Sequence, residues 1–257
     1  MSISPAAKFE ELNNSLPTAD LVEIMVSAQG EGPWIGCRQV FLRFFGCNLC
    51  CSYCDTPGSR GPRPSACRIE KEPGSSLFDL WENPVTADRV AEYLRHTVPI
   101  HSVSLTGGEP LLHVEFIQQL IPLLGAQRPD LYLETNGTLP EQLALIVDDL
   151  DYVSMDLKTP LDNHWDLHRP FLRIASRKKG YVKIVITPAT AVDTVQRAAA
   201  IITEEAPHFP LVLQPVTGKT GLPLTVPGHL LNLQGAALSI HRDVRIIPQV
   251  HPILGIL

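Results

Sequence analysis

Short apolar runs alternate with longer segments of helical periodicity along most of the chain. Runs such as YVKIVI and LVLQ are apolar, rich in β-branched residues and as long as buried strands. The segment VEFIQQLIPLL repeats apolar positions every three or four residues, which predicts a helix over 114–124. The same criteria predict strands at 21–26, 40–45, 102–105, 131–134, 152–155, 181–186, 211–214 and 244–247, and further helices near 86–96, 141–147, 193–205 and 229–241.

The alternation of strands with helices predicts right-handed βαβ units and a parallel sheet. About half a dozen βα units fit a partial or full barrel better than two separate domains. We therefore expect an α/β fold in which a single domain forms a partial (β/α) barrel over residues 21–257. One connection departs from the pattern, because the segment through Trp165 and Arg169 is poorly helical.

Two segments lack this alternation. Residues 1–20 are polar and have no clear periodicity, so we expect an N-terminal extension. Residues 57–84 are rich in Pro, Gly, Ser and Arg, which predicts an irregular insertion before the helix near 86–96. Loops of this length are usually either functional lids or disordered.

The composition narrows the class of protein. The 257 residues are 44% hydrophobic, which is enough for a sizeable core, and their formal net charge is −6. The acidic balance argues against a general nucleic-acid binder, which needs a basic face. No apolar run reaches the roughly 18 residues of a membrane span, and the N-terminus lacks the features of a secretory signal. We therefore expect a cytoplasmic protein with neither a membrane nor a nucleic acid as partner.

All six cysteines lie between Cys37 and Cys67, and four of them lie in the stretch FFGCNLCCSYCDT. Such clustering in a cytosolic chain indicates metal or redox chemistry rather than a disulfide scaffold. Two parsings compete, the triplet Cys47, Cys51 and Cys54 (C-x3-C-x2-C) and two abutting C-x2-C pairs. Structural zinc normally takes four ligands, often from pairs well separated in sequence. Three thiolates on a 4Fe–4S cluster instead leave one iron open to a small molecule.

Polar residues follow several predicted strands at the point where each strand ends. TGGEP follows SVSL, DLK follows YVSM, and TNG, PVTGK and PQVH follow three other strands. In a parallel α/β barrel, the carboxyl ends of the strands form the face where chemistry occurs. Each segment alone is typical of a turn, which Gly, Pro, Asn and Asp favour. Five such segments in register with a metal-binding loop predict a functional site.

The cysteine triplet, with Tyr53 before its last member, resembles the cluster motif of the radical S-adenosylmethionine (SAM) superfamily. TGGEP (Thr106–Pro110) is similar to the glycine-rich strand end of that superfamily. SAQGEG, GCRQVFLRFFGC and the tail RIIPQVHPILGI resemble the 7-carboxy-7-deazaguanine synthase family. The resemblance implies a partial barrel of the radical SAM type and bound SAM. It also implies a 4Fe–4S cluster on Cys47, Cys51 and Cys54, and leaves Cys50 as a packed bystander.

The remaining site residues are implied by the same resemblance. Thr56 would hold Mg²⁺, a cation that usually keeps waters and substrate oxygens among its ligands. The tail departs from the family, which commonly has a lysine where this chain has Pro252. The substrate would contact Ala28, Gln29, Gly30, Glu31, Arg43, Thr106, His251 and Leu257. SAM would contact Tyr53, Cys54, Asp55, Gly108, Glu109, Ser154, Asp156, Lys158, Leu213, Gln214, Pro215 and Val216.

Two of these assignments also rest on side-chain chemistry. Arg43 lies inside the apolar run VFLRFF, where an unpaired charge would be costly, so it needs an anionic partner. A substrate carboxylate is a candidate, because a guanidinium binds a carboxylate through two hydrogen bonds. Backbone groups at Gly30 and Gly32, with the Glu31 carboxylate, would pair with the guanine-like edge of a pterin.

The resemblance implies a radical SAM carbon–nitrogen lyase of 7-deazapurine (queuosine-type) biosynthesis. Its reaction would contract the ring of 6-carboxy-5,6,7,8-tetrahydropterin to give 7-carboxy-7-deazaguanine and ammonia. The implied partners are the pterin, an electron donor such as flavodoxin or ferredoxin, and a second copy in a homodimer. Two alternatives stay open. One is a radical SAM activase that makes a glycyl radical on a partner protein, and the other is a metal-binding scaffold without catalysis.

Overall fold

The protein folds around one large sheet that most of its helices flank. The computed structural model describes residues 17–51, 54, 56–97, 99–158, 165–218 and 222–256. The strands are β1 Thr18–Ala19, β2 Leu21–Ala28, β3 Arg38–Phe44, β4 Ala66–Glu70, β5 Phe78–Glu82, β6 Val85–Thr86, β7 Ser102–Gly107, β8 Asp130–Thr135, β9 Tyr152–Asp156, β10 Lys179–Ile186, β11 Leu211–Pro215 and β12 Val244–Ile246. The helices are α1 Ala87–His96, α2 Val114–Leu124, α3 Pro140–Ile146, α4 Trp165–Ala175, α5 Val192–Glu205, α6 Pro227–Leu238 and α7 His251–Leu254.

The ten strands of the large sheet lie in the order β12-β11-β10-β9-β8-β7-β3-β2-β4-β5. From β3 through β7 to β12 every neighbouring pair is parallel. Strand β2 runs antiparallel to β3, and β5 runs antiparallel to β4. In the described part of the chain the outer strands β12 and β5 do not pair. The predicted α/β class with one domain is confirmed, and the parallel strand ends meet along one edge.

Alternation along the strands produces two apolar layers. Leu131 and Leu133 of β8 belong to the main core between the sheet and the helices. Tyr132 lies between them and points to the opposite face, because successive strand residues alternate. There it packs with Tyr181 and with Trp34, and its hydroxyl donates to the Tyr181 hydroxyl at 3.3 Å. These residues form a second, smaller apolar cluster beside the main core.

The insertion at 57–84 is more regular than its composition suggests. It contains β4 and β5, which extend the large sheet beyond β2. In β4 the buried Cys67 and Ile69 flank the exposed Arg68, so the strand does alternate. The signal was missed because each strand is only five residues long and is surrounded by Pro and Gly.

Two further expectations are corrected by the structure. The segment thought to be poorly helical forms α4, whose buried Trp165, Phe171 and Leu172 provide an apolar face despite Pro170. Strand β1 lies within the polar N-terminal segment and pairs with β6, while residues 1–16 lie outside the described residues. Within the part of the chain that the structure describes, no helix is long and apolar enough to cross a membrane.

Candidate active site

A cavity of about 730 Å³ opens at the carboxyl ends of the parallel strands. It brings together residues from β2, β3, β7, β9 and β11, from the cysteine loop and from the C-terminal tail. Most of the residues expected in a site line it. They are Ala28, Gln29, Gly30, Glu31, Arg43, Cys47, Cys51, Cys54, Thr56, Thr106, Gly108, Ser154, Asp156, Lys158, Gln214, Val216 and His251.

Three thiols lie at one end of this cavity, which we call the cysteine end (Cys47, Cys51 and Cys54). The expectation that Cys50 is packed is wrong, because Cys50 is exposed, and it does not line the cavity. Burial raises the pKa of Cys47 and Cys51, so these thiols need a bound cation to become thiolates. Among the described residues, no three His, Cys, Asp or Glu side chains converge on a point that a single metal ion would occupy. In a 4Fe–4S cluster each thiolate binds its own iron.

The cysteine loop lies directly against the end of β7. Gly108 donates its N–H to the Phe44 carbonyl at 3.0 Å, and Glu109 donates to the Gly46 carbonyl at 2.8 Å. A Cβ atom on Gly108 would lie 1.9 Å from the Gly46 oxygen. Gly107 has a φ of +112°, a conformation that L side chains rarely adopt. The paired glycines of TGGEP are therefore required for this close approach.

Glu109, expected to contact SAM, does not line the cavity. Its carboxylate is fully buried and accepts hydrogen bonds from the Thr135 hydroxyl (2.8 Å) and from the N–H groups of Asn136 (2.8 Å) and Leu111 (3.2 Å). Burial raises its pKa to about 7, although these donors oppose the shift. Glu109 therefore ties the end of β7 to the end of β8.

Strand alternation also separates the residues expected on β11. Gln214 and Val216 line the cavity, whereas Leu213 lies in the hydrophobic core and Pro215 is not among the lining residues. Two of the four residues expected to contact SAM therefore line the cavity, as alternation along a strand dictates. Tyr53, Asp55 and Leu257, also expected in the site, lie outside the described residues.

The opposite end of the cavity, which we call the polar end, is organised around the Glu31 carboxylate. Its Oε1 accepts from Gln214 Nε2 at 2.9 Å and from Gln249 Nε2 at 2.6 Å, and its Oε2 accepts from Lys183 Nζ. Burial alone would raise the pKa of Glu31, but the charge of Lys183 and these three hydrogen bonds lower it to about 2. Glu31 is therefore ionised at neutral pH.

A row of alternating charges connects the polar end to the cysteine end. Lys183 Nζ lies 3.2 Å from Asp156 Oδ2, which also accepts from Lys158 Nζ at 2.6 Å. Burial opposes ionisation of all three groups, yet their mutual attraction lowers the pKa of Asp156 and raises those of Lys158 and Lys183. Asp156 Oδ1 and Gln214 Oε1 are buried and accept no hydrogen bond from any described residue. A polar ligand in the cavity would supply the missing donors.

Glu134 and Gln29 form a second network at the polar end. Gln29 donates to Glu134 Oε1 at 3.0 Å and accepts from the Glu31 N–H at 3.0 Å, so its side chain shapes the turn that carries Glu31. Glu134 also accepts from the hydroxyls of Ser104 (2.7 Å) and Thr106 (3.1 Å). Burial, and then the nearby Glu31 charge, raises the pKa of Glu134.

Arg43 has the anionic partner that the sequence predicted it to need, and the chain itself supplies that partner. Arg43 Nε donates to Glu23 Oε1 at 2.9 Å, and the two residues are cross-strand neighbours in the β2–β3 register. Arg43 nevertheless lines the cavity.

The C-terminal tail lies on the turn that carries Glu31. The Val250 N–H donates to the Gly30 carbonyl at 2.9 Å, and a Cβ on Gly30 would lie 2.3 Å from His251 Nδ1. Gly32 packs on the Tyr181 ring instead and does not line the cavity. Of the two glycines whose backbone groups were expected to pair with a ligand, Gly30 therefore lines the cavity and Gly32 does not.

Sequence reasoning missed Lys183, Glu134 and Gln249. Lys183 interrupts the apolar run YVKIVI, which is the same signal that singled out Arg43. Glu134 and Gln249 stand at or just beyond strand ends, in segments already flagged as polar.

The residues present fit a 4Fe–4S cluster and SAM. Three thiols line one end of the cavity, and unpartnered buried acceptors lie beside the row of charges that leads away from them. Gly107 and Gly108 bring the backbone at the end of β7 close to the cysteine loop. Because neither residue has a side chain, a bound molecule can approach this backbone closely.

Comparison with known proteins gives one consistent assignment. The family model of the radical SAM superfamily matches residues 42–202. A 7-carboxy-7-deazaguanine synthase from Geobacter sulfurreducens is 44% identical, over 94% of this chain and 99% of the relative. The synthase from Methanothermobacter thermautotrophicus is 35% identical, with the same coverage of both chains. The crystal structure of QueE from Escherichia coli has a TM-score of 0.59 at 17% identity, covering 96% of this chain and 99% of that chain, and supports the fold.

Proposed function

Because the chain belongs to the 7-carboxy-7-deazaguanine synthase family of radical SAM enzymes, we propose that it contracts 6-carboxy-5,6,7,8-tetrahydropterin to 7-carboxy-7-deazaguanine with release of ammonia. The observation that carries the proposal is a single cavity with three thiols at one end and a polar end built around Glu31. The cluster and SAM, when bound, supply the one-electron chemistry that removes a hydrogen from the substrate. The chain supplies binding, orientation and exclusion of water.

The polar end suits the donor-rich edge of a pterin. Among the described residues, Oε2 of Glu31 accepts only from Lys183, and Oε2 of Glu134 accepts only from Thr106. Each carboxylate oxygen has about two acceptor sites, so each of these atoms retains capacity for one more donor. The amino and ring N–H groups of a pterin would provide such donors.

The substrate carboxylate and Mg²⁺ would occupy the middle of the cavity. The Nε–H of Arg43 donates to the Glu23 carboxylate. The remaining guanidinium N–H groups of Arg43 would bind the substrate carboxylate. Thr56 lines the cavity beside the cysteine end, and its hydroxyl lies 3.5 Å from the Gly107 carbonyl. Its oxygen would bind Mg²⁺ together with substrate oxygens and water. His251 would cover the pterin from the tail.

Family membership motivates the remaining proposals. These are a flavodoxin or ferredoxin as electron donor, a homodimer and a cytoplasmic location. The rival activase would need a docking surface for a glycyl-radical protein instead of the polar end around Glu31. A zinc scaffold would need four convergent ligands, whereas three cysteines of the described residues line the cavity.

The test is anaerobic reconstitution followed by an assay with SAM, Mg²⁺, a reductant and the pterin acid. We expect about four irons per chain, with 7-carboxy-7-deazaguanine and ammonia as products. The same protein without the pterin is the control for uncoupled SAM cleavage. No product from fully loaded protein would reject the proposal, and one zinc per chain would support the scaffold.

A further inference from the structure

The short turn after the cysteine loop folds back onto the cysteine end. This 3₁₀ turn spans Pro57–Arg60, at the start of the insertion that the sequence analysis left without a role. The Ser59 carbonyl accepts from the Gly46 N–H at 2.8 Å, which fixes the turn beside the residue that precedes Cys47. Ser59 is only 1% exposed, and both Ser59 and Arg60 line the cavity.

Two polar groups of this turn are buried and make no hydrogen bond within the described part of the chain. The Ser59 hydroxyl and Arg60 Nε have no hydrogen-bond partner among the described residues. A buried donor that is left unpaired loses its hydrogen bond to water without gaining another, which is unfavourable. Since both residues line the cavity, a molecule bound there would satisfy them.

The position of Arg60 shows which end of the cavity these donors serve. Arg60 Nη2 lies 3.5 Å from the Cys51 carbonyl oxygen. The Arg60 guanidinium therefore lies beside the cysteine loop.

We propose that Ser59 and Arg60 donate hydrogen bonds to the sulfur atoms of the bound 4Fe–4S cluster and raise its reduction potential. Reduction adds a negative charge to the cluster, so a hydrogen-bond donor and a nearby cation stabilise the reduced form more than the oxidised form. The insertion thus tunes the cofactor through its first turn. This inference rests on the cluster that the family carries and is independent of the pterin as substrate.

The test is a redox titration of the reconstituted protein followed by electron paramagnetic resonance, without pterin. Ser59→Ala, Arg60→Gln and Arg60→Lys are compared with the wild type. The matched controls are Ser65→Ala and Arg63→Gln, because Ser65 is exposed and Arg63 pairs with Asp20. Iron content and SAM affinity are measured on each sample.

We expect a more negative midpoint potential in Arg60→Gln and a smaller negative shift in Ser59→Ala. Arg60→Lys keeps the charge and loses the Nε donor, so its shift should lie between the wild type and Arg60→Gln. Both controls should match the wild type. If Arg60→Gln fails to hold iron, Ser59→Ala and Arg60→Lys decide the question.

Unchanged potentials in every loaded variant would overturn the inference. Weaker SAM binding at an unchanged potential would also overturn it and assign these donors to the SAM carboxylate instead. Because no pterin is present, the outcome is separate from that of the product assay.

Discussion

The two ends of the cavity are built in opposite ways. At the cysteine end, Cys47, Cys51 and Cys54 come from one loop, and the backbone just before that loop is hydrogen-bonded to the neighbouring strand end. At the polar end, Glu31 is held by Lys183, Gln214 and Gln249, which are 152, 183 and 218 residues away along the chain. One end is local in sequence, whereas the other exists only in the folded chain.

The two ends therefore depend on different interactions for their structure. The cysteine end presents thiols whose pKa values are raised, so the cofactor must complete it. The polar end is completed by its own hydrogen bonds and charges. Substitutions at the cysteine end should therefore remove the cofactor at little cost in stability, while substitutions at the polar end should reduce stability before any ligand is considered.

The largest effect should come from the adjacent cysteines. We expect Cys51→Ala to lose the cluster and SAM cleavage to background, because Cys51 lines the cavity. Cys50→Ala should keep both, because Cys50 is exposed and does not line the cavity. Iron content, visible absorption and SAM cleavage check the pair. The opposite pattern would refute the three-ligand assignment.

Breaking the central ion pair of the polar end should be the next largest effect. Lys183→Met leaves the buried carboxylates of Glu31 and Asp156 without their shared cation, which should lower the free energy of unfolding by about 3–5 kcal/mol. The double variant with Glu31→Gln should recover part of the loss. Urea unfolding of the cluster-free protein measures both.

The matched control is Arg173→Met, which breaks an exposed pair with Glu205 and should cost less than about 1 kcal/mol. Equal losses in Lys183→Met and Arg173→Met would show that the polar end is not prebuilt.

Acid should weaken the polar end through Glu31. Its pKa is near 2 in the folded protein and 4.5 when unperturbed, so its stabilisation is present above pH 4.5 and is lost as the pH falls towards 2. The full contribution is about 3 kcal/mol. The stability gap between wild type and Glu31→Gln should therefore narrow below pH 4.5. With the exposed Glu115→Gln as control, a gap that is constant with pH would contradict this reading.

The smallest effect should come from the contact between the Glu31 turn and the tail. In Gly30→Ala the new Cβ would meet His251 at 2.3 Å, so the tail must shift. We expect affinity for the pterin acid to fall roughly tenfold, the scale of a modest overpacking penalty, while iron content stays the same. Gly228→Ala, with open space around its Cβ, is the control. Calorimetric titration checks both, and equal affinities would argue against a role for the tail.

The difference between local signals and contacts distant in sequence explains which features could be predicted from the sequence. The cysteine triplet, TGGEP and most parallel strands are visible because their signals are local. The sequence indicates that Arg43 needs an anionic partner. It does not indicate that Glu23 is this partner, because the β2–β3 register that pairs the two residues is set by the fold. Lys183 gave the same local signal, yet its partners are distant in sequence. In β4 and β5 the strands are too short to stand out from their Pro-rich and Gly-rich surroundings.

The proposed function requires that the cysteine end and the polar end of the cavity act in one reaction. The most direct measurement supplies the reconstituted protein with the pterin acid deuterated at C6 and analyses the recovered SAM and the product by mass spectrometry. We expect 7-carboxy-7-deazaguanine as product, with deuterium at the 5′ carbon of the recovered SAM, because SAM bound in this cavity would accept the hydrogen from C6 and would give a hydrogen back to the product. Product formation with unlabelled SAM, or SAM breakdown without product, would contradict it.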